Sequence, residues 1–251
     1  MKKKIIVLLF LVISSLLVVI GVNKLYTQSS NNPLTTAPGP KKEREEITDP
    51  GNSIYQSVVI VQDTTDKISY GTGIIVGENK LLTNVHVVSD TSHAAGEKIN
   101  PNLVVRSRNS NGEFIDFPIK NITLAPNQAD LAIVEVSPTD NGENIHDNMK
   151  IFELASLEEI NNVKLGNIVH TVGYPVDKEY GTLWKSEGEV TFLDDGNFIA
   201  FNATITGGNS GSPIFNEDEK IIGLSNSGND ELAFGFLFSE ELYEFIKTNI
   251  E

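Results

Sequence analysis

The chain of 251 residues contains no cysteine, which excludes disulfides and thiol chemistry. It has one tryptophan, two methionines and four histidines, so any reaction that needs an imidazole base has few candidates. Positive charge is scarce: 19 basic residues face 34 acidic ones, for a formal net charge of −15. Four of the lysines fall in the first 30 residues, with no acid beside them, which leaves 15 basic against 34 acidic residues and a net −19 for the remainder. That balance argues against nucleic acid or anionic lipid as a partner of the main body. Long apolar runs are absent too, with one exception. Lys2-Lys3-Lys4 is followed by Ile5 to Val22, interrupted only by Ser14, Ser15 and Gly21. Eighteen residues at ~1.5 Å each would reach about 27 Å, close to a hydrocarbon core of roughly 30 Å.

Lysines ahead of that segment keep the N-terminus in the cytoplasm and send the rest outward. Residues 1–27 therefore read as a hydrophobic helix that is either a signal-anchor or a cleaved signal peptide; no Ala-x-Ala-like site precedes Asn23-Lys24-Leu25-Tyr26. The expected location is extracytoplasmic, with membrane contact through this segment only. Residues 28–52 carry Pro33, Pro38, Pro40, Pro50 and the charge run Lys41 to Glu46, which reads as a disordered stalk or a pro-segment.

From Ser53 onward short apolar runs alternate with turn residues: Val58 to Val61, Gly73 to Val76, Leu103 to Val105, Leu131 to Val136, then Ile168 to Val172, Glu189 to Leu193, Phe198 to Asn202, Ile221 to Leu224 and Leu232 to Phe238. This spacing predicts an all-β sandwich or barrel over residues 53–251. Asp194-Asp195-Gly196-Asn197 reads as a hairpin turn in preference to a calcium site. Ser239 is placed to cap a helix whose Leu242, Phe245, Ile246 and Ile250 share one face.

Chemistry concentrates in Gly207-Gly208-Asn209-Ser210-Gly211-Ser212-Pro213. Glycines permit a tight turn that exposes a hydroxyl and aims backbone N–H groups at one point. Acyl transfer requires that combination of nucleophile and oxyanion donors. A serine needs an oriented base. His86 ends an apolar strand, His93 and His146 sit in polar loops, and His170 alternates within a strand. Asp130 opens the apolar run Leu131 to Val136, so a partly buried carboxylate there needs a partner. The order His86, Asp130, Ser210 is one of the known orders of a catalytic triad.

Gly71-Thr72-Gly73-Ile74-Ile75-Val76, Leu82-Thr83-Asn84-Val85-His86, Ala129-Asp130-Leu131-Ala132 and the serine heptad together resemble the trypsin-like serine proteases. Val172-Gly173-Tyr174-Pro175 and Leu183-Trp184-Lys185-Ser186-Glu187-Gly188 resemble the glutamyl endopeptidase and exfoliative-toxin-like branch. The resemblance covers roughly residues 54–247. It implies two six-stranded antiparallel β-barrels, about 53–140 and 149–238, followed by a C-terminal helix over 239–251. It further implies a triad in the cleft between the barrels and an oxyanion hole at Gly208, Asn209 and Ser210, supplied by the N–H groups of Gly208 and Ser210. No metal or other cofactor is required, the substrate is a protein or peptide, and the chain is expected to act as a monomer. Stress-type proteases of the HtrA kind share the anchor and triad but normally add a PDZ domain, whereas this chain ends 41 residues after Ser210. A non-catalytic binding module on the same fold is the other alternative.

The resemblance breaks in the specificity pocket, expected at Thr204, Ile205, Thr206, Ser225, Asn226 and Ser227. Relatives that cut after Arg or Lys place an acid where Thr204 stands, six residues before Ser210. Glutamyl endopeptidases place a threonine where Ile205 stands and a histidine where Ser225 stands. The expectation is therefore neither trypsin-like cleavage nor a strong preference for glutamate. Asn209 stands where digestive relatives carry the aspartate that pairs with a freshly cut N-terminus, so activation by that route is not expected.

Overall fold

β-Branched and aromatic runs set the strands of the molecule, and the computed structural model describes residues 42–65, 70–88, 102–147, 149–194 and 197–250. Strand β1 is Glu45–Ile47. Then come β2 (Val58–Asp63), β3 (Tyr70–Gly77), β4 (Lys80–Thr83), β5 (Leu103–Arg108), β6 (Phe114–Leu124) and β7 (Ala132–Val136). Strands β2 to β7 close a six-stranded antiparallel barrel in the order β2-β3-β4-β7-β6-β5. The second half holds β8 (Ile168–Gly173), β9 (Leu183–Leu193), β10 (Phe198–Phe201), β11 (Pro213–Phe215), β12 (Ile221–Gly228) and β13 (Ala233–Leu237). These run β9-β10-β13-β12-β11-β8, and the pairing of β8 with β9 closes a second ring of six. The two-barrel, all-β expectation holds.

The unbroken apolar runs have a physical explanation in the packing. Val58 to Val61 of β2 are all buried, although an antiparallel strand with one wet face would alternate. Val59 and Val61 pack with Ile75, Leu81, Val105, Phe117 and Val134 inside the first barrel. Val58 and Ile60 face the other way, with Ile74, Leu82, Leu131 and Ile133, and join the core that contains Val172, Phe201, Ile214 and Leu224 of the second barrel. One face of the strand fills its own barrel and the other welds the two barrels together.

Among the described residues three α-helices accompany the strands: α1 (Val85–Val88), α2 (Leu157–Asn161) and α3 (Glu240–Ile250). Ser156 and Glu159 form a reciprocal capping box on α2, within the connection between the barrels. Ser239 Oγ accepts the Leu242 N–H at 3.2 Å, so it caps α3 as expected, and Leu242 and Ile246 are buried beneath it.

Two features differ from the sequence reading. Residues 42–52, read as the end of a stalk, carry β1 and a short 3-10 turn at Pro50–Asn52. β1 adds to the edge of β9 opposite β8, with Glu45 facing Lys185, Glu46 facing Trp184 and Ile47 facing Leu183. A polar run forms a strand there because an edge supplies its backbone partners, and Ile47 packs onto the second core. Further, the connection between the barrels extends well past the polar stretch 137–148, since β8 begins only at Ile168. The N-terminal hydrophobic segment, the first part of the 28–52 stretch, His93, and Asp195-Gly196 of the hairpin turn lie outside the described residues. Among the described residues no helix is long and apolar enough to cross a membrane.

Phe215 is fully buried and its ring lies 4.7 Å from Phe152, 5.0 Å from His170 and 5.9 Å from Tyr55. Phe215→Ala should destabilise the protein by about 3–5 kcal/mol. Urea unfolding checks this, and a loss under about 1 kcal/mol would contradict the placement of Phe215 at the centre of the second core.

Candidate active site

β4 ends at Thr83, and the turn through Asn84 into α1 presents His86. The side chain of Asp130, just before β7, meets it: Asp130 Oδ2 lies 2.8 Å from His86 Nδ1, and Asp130 Oδ1 accepts the His86 backbone N–H at 3.1 Å. Asn84 Nδ2 donates to the Asp130 carbonyl at 2.8 Å, which fixes the aspartate from the other side. One carboxylate therefore holds both the ring and the main chain of His86. An imidazole that donates from Nδ1 to a carboxylate keeps its Nε2 lone pair available. The His86 side chain is half exposed, so that nitrogen is accessible to a substrate.

Ser210 comes from the second barrel, on the turn that leads into β11. Gly208 (φ 87°) and Gly211 (φ 84°) both adopt the left-handed conformation. A Cβ on Gly208 would collide with the Tyr174 carbonyl, and one on Gly211 with the Thr72 carbonyl and Thr83 Oγ1. Glycine is required at both positions. Within the turn, the Asn209 N–H donates to Thr206 O at 3.1 Å and the Ser212 N–H to Asn209 O at 2.9 Å. Among the described residues no acceptor takes the N–H of Gly208 or of Ser210. Those two donors flank the Ser210 side chain and are available to an oxyanion. Asn209, grouped with them from the sequence, serves differently: its N–H is already spent on Thr206, so it spaces the two donors and is not a third.

The turn is held against the first barrel by Thr72 of β3. Its N–H donates to Ser210 O at 2.8 Å, and its Oγ1 donates to Gly208 O at 2.7 Å. The same hydroxyl accepts the Tyr174 N–H at 3.1 Å, and the Thr72 carbonyl accepts Thr83 Oγ1 at 2.7 Å. The nucleophile turn is thus tied to the strand that leads to His86. Ser210 Oγ donates to the Asn226 carbonyl at 3.1 Å, so its hydroxyl is turned toward β12 and must swing to reach His86 Nε2.

The expected pocket residues separate into two groups. Thr206 and Asn226 are half-buried and Ser227 is exposed, with Ser227 Oγ donating to Asn226 Oδ1 at 3.1 Å. Thr204, Ile205 and Ser225 are buried. Thr204 Oγ1 donates to Asp230 O at 3.1 Å, and Ser225 Oγ to Thr171 Oγ1 at 3.2 Å. Ile205 belongs to the hydrophobic core, and Ser225 is fully buried on β12. Thr206 Oγ1 donates to Asp177 Oδ1 at 2.7 Å, which brings in a carboxylate that the sequence reading missed. No spacing or motif marks Asp177; its position becomes visible only once the loop after β8 packs on the nucleophile turn.

The other described histidines have structural partners. His146 Nδ1 accepts the Asn79 N–H at 3.1 Å. His170 Nε2 lies 3.2 Å from Glu219 Oε2 and 3.3 Å from Tyr55 OH, deep in the second barrel. Burial pushes the Glu219 carboxyl up, but the hydrogen bond and charge of His170 outweigh it and hold it below its ordinary value. Among the described residues no three acidic or imidazole side chains converge to hold a metal ion.

A half-exposed histidine gripped by an aspartate, and a glycine turn with free N–H donors in a fold of two barrels, are the elements of a serine hydrolase of the chymotrypsin type. The sequence agrees: residues 71–224 match the model of the trypsin-like peptidase domain, and the chain belongs to that family. It is 33% identical over 216 residues to a glutamyl endopeptidase of Staphylococcus aureus (strain MW2), covering 84% of this chain and 64% of the relative, so it spans just under two thirds of that protein's length. Among solved structures, a Glu endopeptidase in complex with MPD superposes with a TM-score of 0.66 at 21% identity, covering 85% of this chain and 98% of that one. The crystal structure of Deg5 gives 0.56 at 18% identity over 76% and 86% of the two chains. Both structures share the fold.

Thr72→Val would leave the Gly208 carbonyl and the Tyr174 N–H without their buried partner, and should cost about 1–3 kcal/mol of stability. It should also slow the reaction of Ser210 with a fluorophosphonate. Denaturant unfolding and labelling kinetics check the two effects; unchanged values in both would remove Thr72 from the clamp.

Proposed function

We propose that this protein is an extracytoplasmic serine endopeptidase that cleaves peptide bonds through His86, Asp130 and Ser210. The observation that carries the proposal is the 2.8 Å pairing of His86 Nδ1 with Asp130 beside the Ser210 turn. Ser210 Oγ swings from the Asn226 carbonyl, passes its proton to His86 Nε2 and attacks the scissile carbonyl carbon. Catalytic hydrogen bonds of this kind commonly tighten only when substrate is seated. The tetrahedral oxyanion is met by the N–H groups of Gly208 and Ser210, each worth roughly 3–4 kcal/mol in comparable sites. The C–N bond then breaks, His86 returns the proton to the leaving amine, and a water molecule repeats the sequence on the acyl-enzyme. Asp130 holds the tautomer and stabilises the imidazolium throughout.

Ser210→Ala and His86→Ala should each abolish casein hydrolysis, with losses of similar size on the order of 10⁴-fold or more, because members of a triad act as a unit. His93→Ala and His146→Ala should leave most of the activity. A loss confined to one of the latter pair would move the base elsewhere.

Cleavage should show no strong preference for glutamate before the cut, although the curated relatives carry the name glutamyl endopeptidase. An acidic side chain loses its hydration in a pocket and needs charged or strong hydrogen-bonding partners there. Ile205 and Ser225 are buried in the barrel, and the Thr206 hydroxyl is committed to the Asp177 carboxylate. A peptide-library profile decides the matter, and dominant selection for glutamate would refute it.

The lysine-flanked segment Ile5 to Val22 supports export, with the segment retained as an anchor or removed as a signal. Cell fractionation should place the peptidase domain outside the cytoplasm, in membranes or medium; recovery in the cytosol alone would contradict both routes.

A further inference from the structure

We propose that Arg44 is a positioning residue for the Ser210 site, and that β1 is a built-in strap that holds the oxyanion turn in shape. The inference rests on the serine endopeptidase reading above. Arg44 Nη1 and Nη2 donate to the two carboxylate oxygens of Asp177 at 2.9 and 2.5 Å, a bidentate fork. The carboxylate is also the acceptor for Thr206 Oγ1 at 2.7 Å. Thr206 is in turn bonded twice to Asn209: its carbonyl takes the Asn209 N–H at 3.1 Å and its N–H donates to Asn209 Oδ1 at 3.3 Å. One residue away, the Val176 N–H donates to Gly207 O at 2.8 Å. A guanidinium on the N-terminal segment thus reaches, through one carboxylate and one threonine, the residue that separates the two oxyanion donors.

An exposed ion pair contributes little on its own. This one differs in three respects. The Arg44 side chain is only 13% exposed. Its backbone neighbours are fixed by the β1–β9 ladder. The strap is pinned on its other side by the pairing of Lys42 with Glu187. Lys42, Glu43, Arg44, Lys178 and Thr204 line an open cleft of about 360 Å³. Without Arg44, Asp177 would stand unneutralised beside Thr206, and the loop after β8 would lose its link to the strap.

The Arg44 guanidinium, and after it the Thr206 hydroxyl, hold the Asp177 carboxyl down at about 2 against the effect of burial. A carboxyl lowered on folding stabilises the structure above its unfolded value of about 4, and that contribution fades only as pH falls toward the folded value. The strap should therefore stay engaged from neutral to mildly acidic pH.

The test uses the full-length chain. Fluorophosphonate labelling rate, kcat and KM on a peptide amide, and the thermal midpoint are measured for wild type, Arg44→Ala, Arg44→Lys and Arg44→Ala with Thr206→Val. Small misplacements of a reacting group cost large factors, so Arg44→Ala should lower kcat and the labelling rate by about tenfold or more. KM should change less and the midpoint little. Lysine cannot form the fork and should restore only part of the loss. Millimolar guanidinium should raise the rate of Arg44→Ala and leave wild type unchanged. The double variant should cost no more than Arg44→Ala alone, as expected for one chain of contacts. Wild-type kcat in Arg44→Ala, or a loss that only tracks a lowered midpoint and does not respond to guanidinium, overturns the inference. A wild-type chain that neither labels nor hydrolyses overturns the endopeptidase reading and takes this inference with it.

Discussion

A single threonine sets the relation between the two halves of the site. Thr72 is buried in β3 of the first barrel, yet its N–H and hydroxyl bind the carbonyls of Ser210 and Gly208 in the second. The apolar contact between the barrels, made by side chains such as Val58, Ile60, Ile74 and Leu82, supplies most of the attraction. Such contact is non-directional and would tolerate a small slip of one barrel over the other. Hydrogen bonds do not tolerate it, because a buried partner left unmade carries the full desolvation penalty. The residues around Thr72 are correspondingly small: Gly71 and Gly73 flank it, and Gly173 and Gly211 pack where a Cβ would strike Ser212 Oγ and the Thr72 carbonyl.

This arrangement explains which parts of the molecule could be read from the sequence. The strands were legible because each is a local apolar run, and the continuous runs follow from burial on both faces. The proposed triad residues Ser210, His86 and Asp130 stand out in the sequence because each combines a reactive side chain with a revealing neighbourhood: a glycine turn, a strand end, an acid at the mouth of an apolar run. Thr72 lay inside a recognised Gly-Thr-Gly, but its bonds join residues more than a hundred positions apart, and no local pattern encodes them.

What the sequence did not reveal has one cause. Strand β1 looks like a charged linker because its stability comes from the edge of β9 and from the forked pair of Arg44 with Asp177, neither of which is local. Asn209 is read as the spacer between two oxyanion donors, and only the turn geometry shows where its own N–H is committed, at the Thr206 carbonyl. Ile205 and Ser225 stand out by their places in the motifs, and no local pattern shows that both side chains are buried. In each case long-range geometry overrides what the neighbours in sequence suggest.

The chain's one tryptophan, Trp184, lies on β9 directly across from β1. Its ring is overlain by the Lys178 ammonium at 4.1 Å and the Arg44 guanidinium at 6.0 Å, and its Nε1 donates to Thr182 Oγ1 at 2.8 Å. Indole emission responds to nearby charge and to contact with water. All tryptophan fluorescence of this protein therefore originates at the seam between β1 and β9, so emission reports on whether the strap that carries Arg44 is seated.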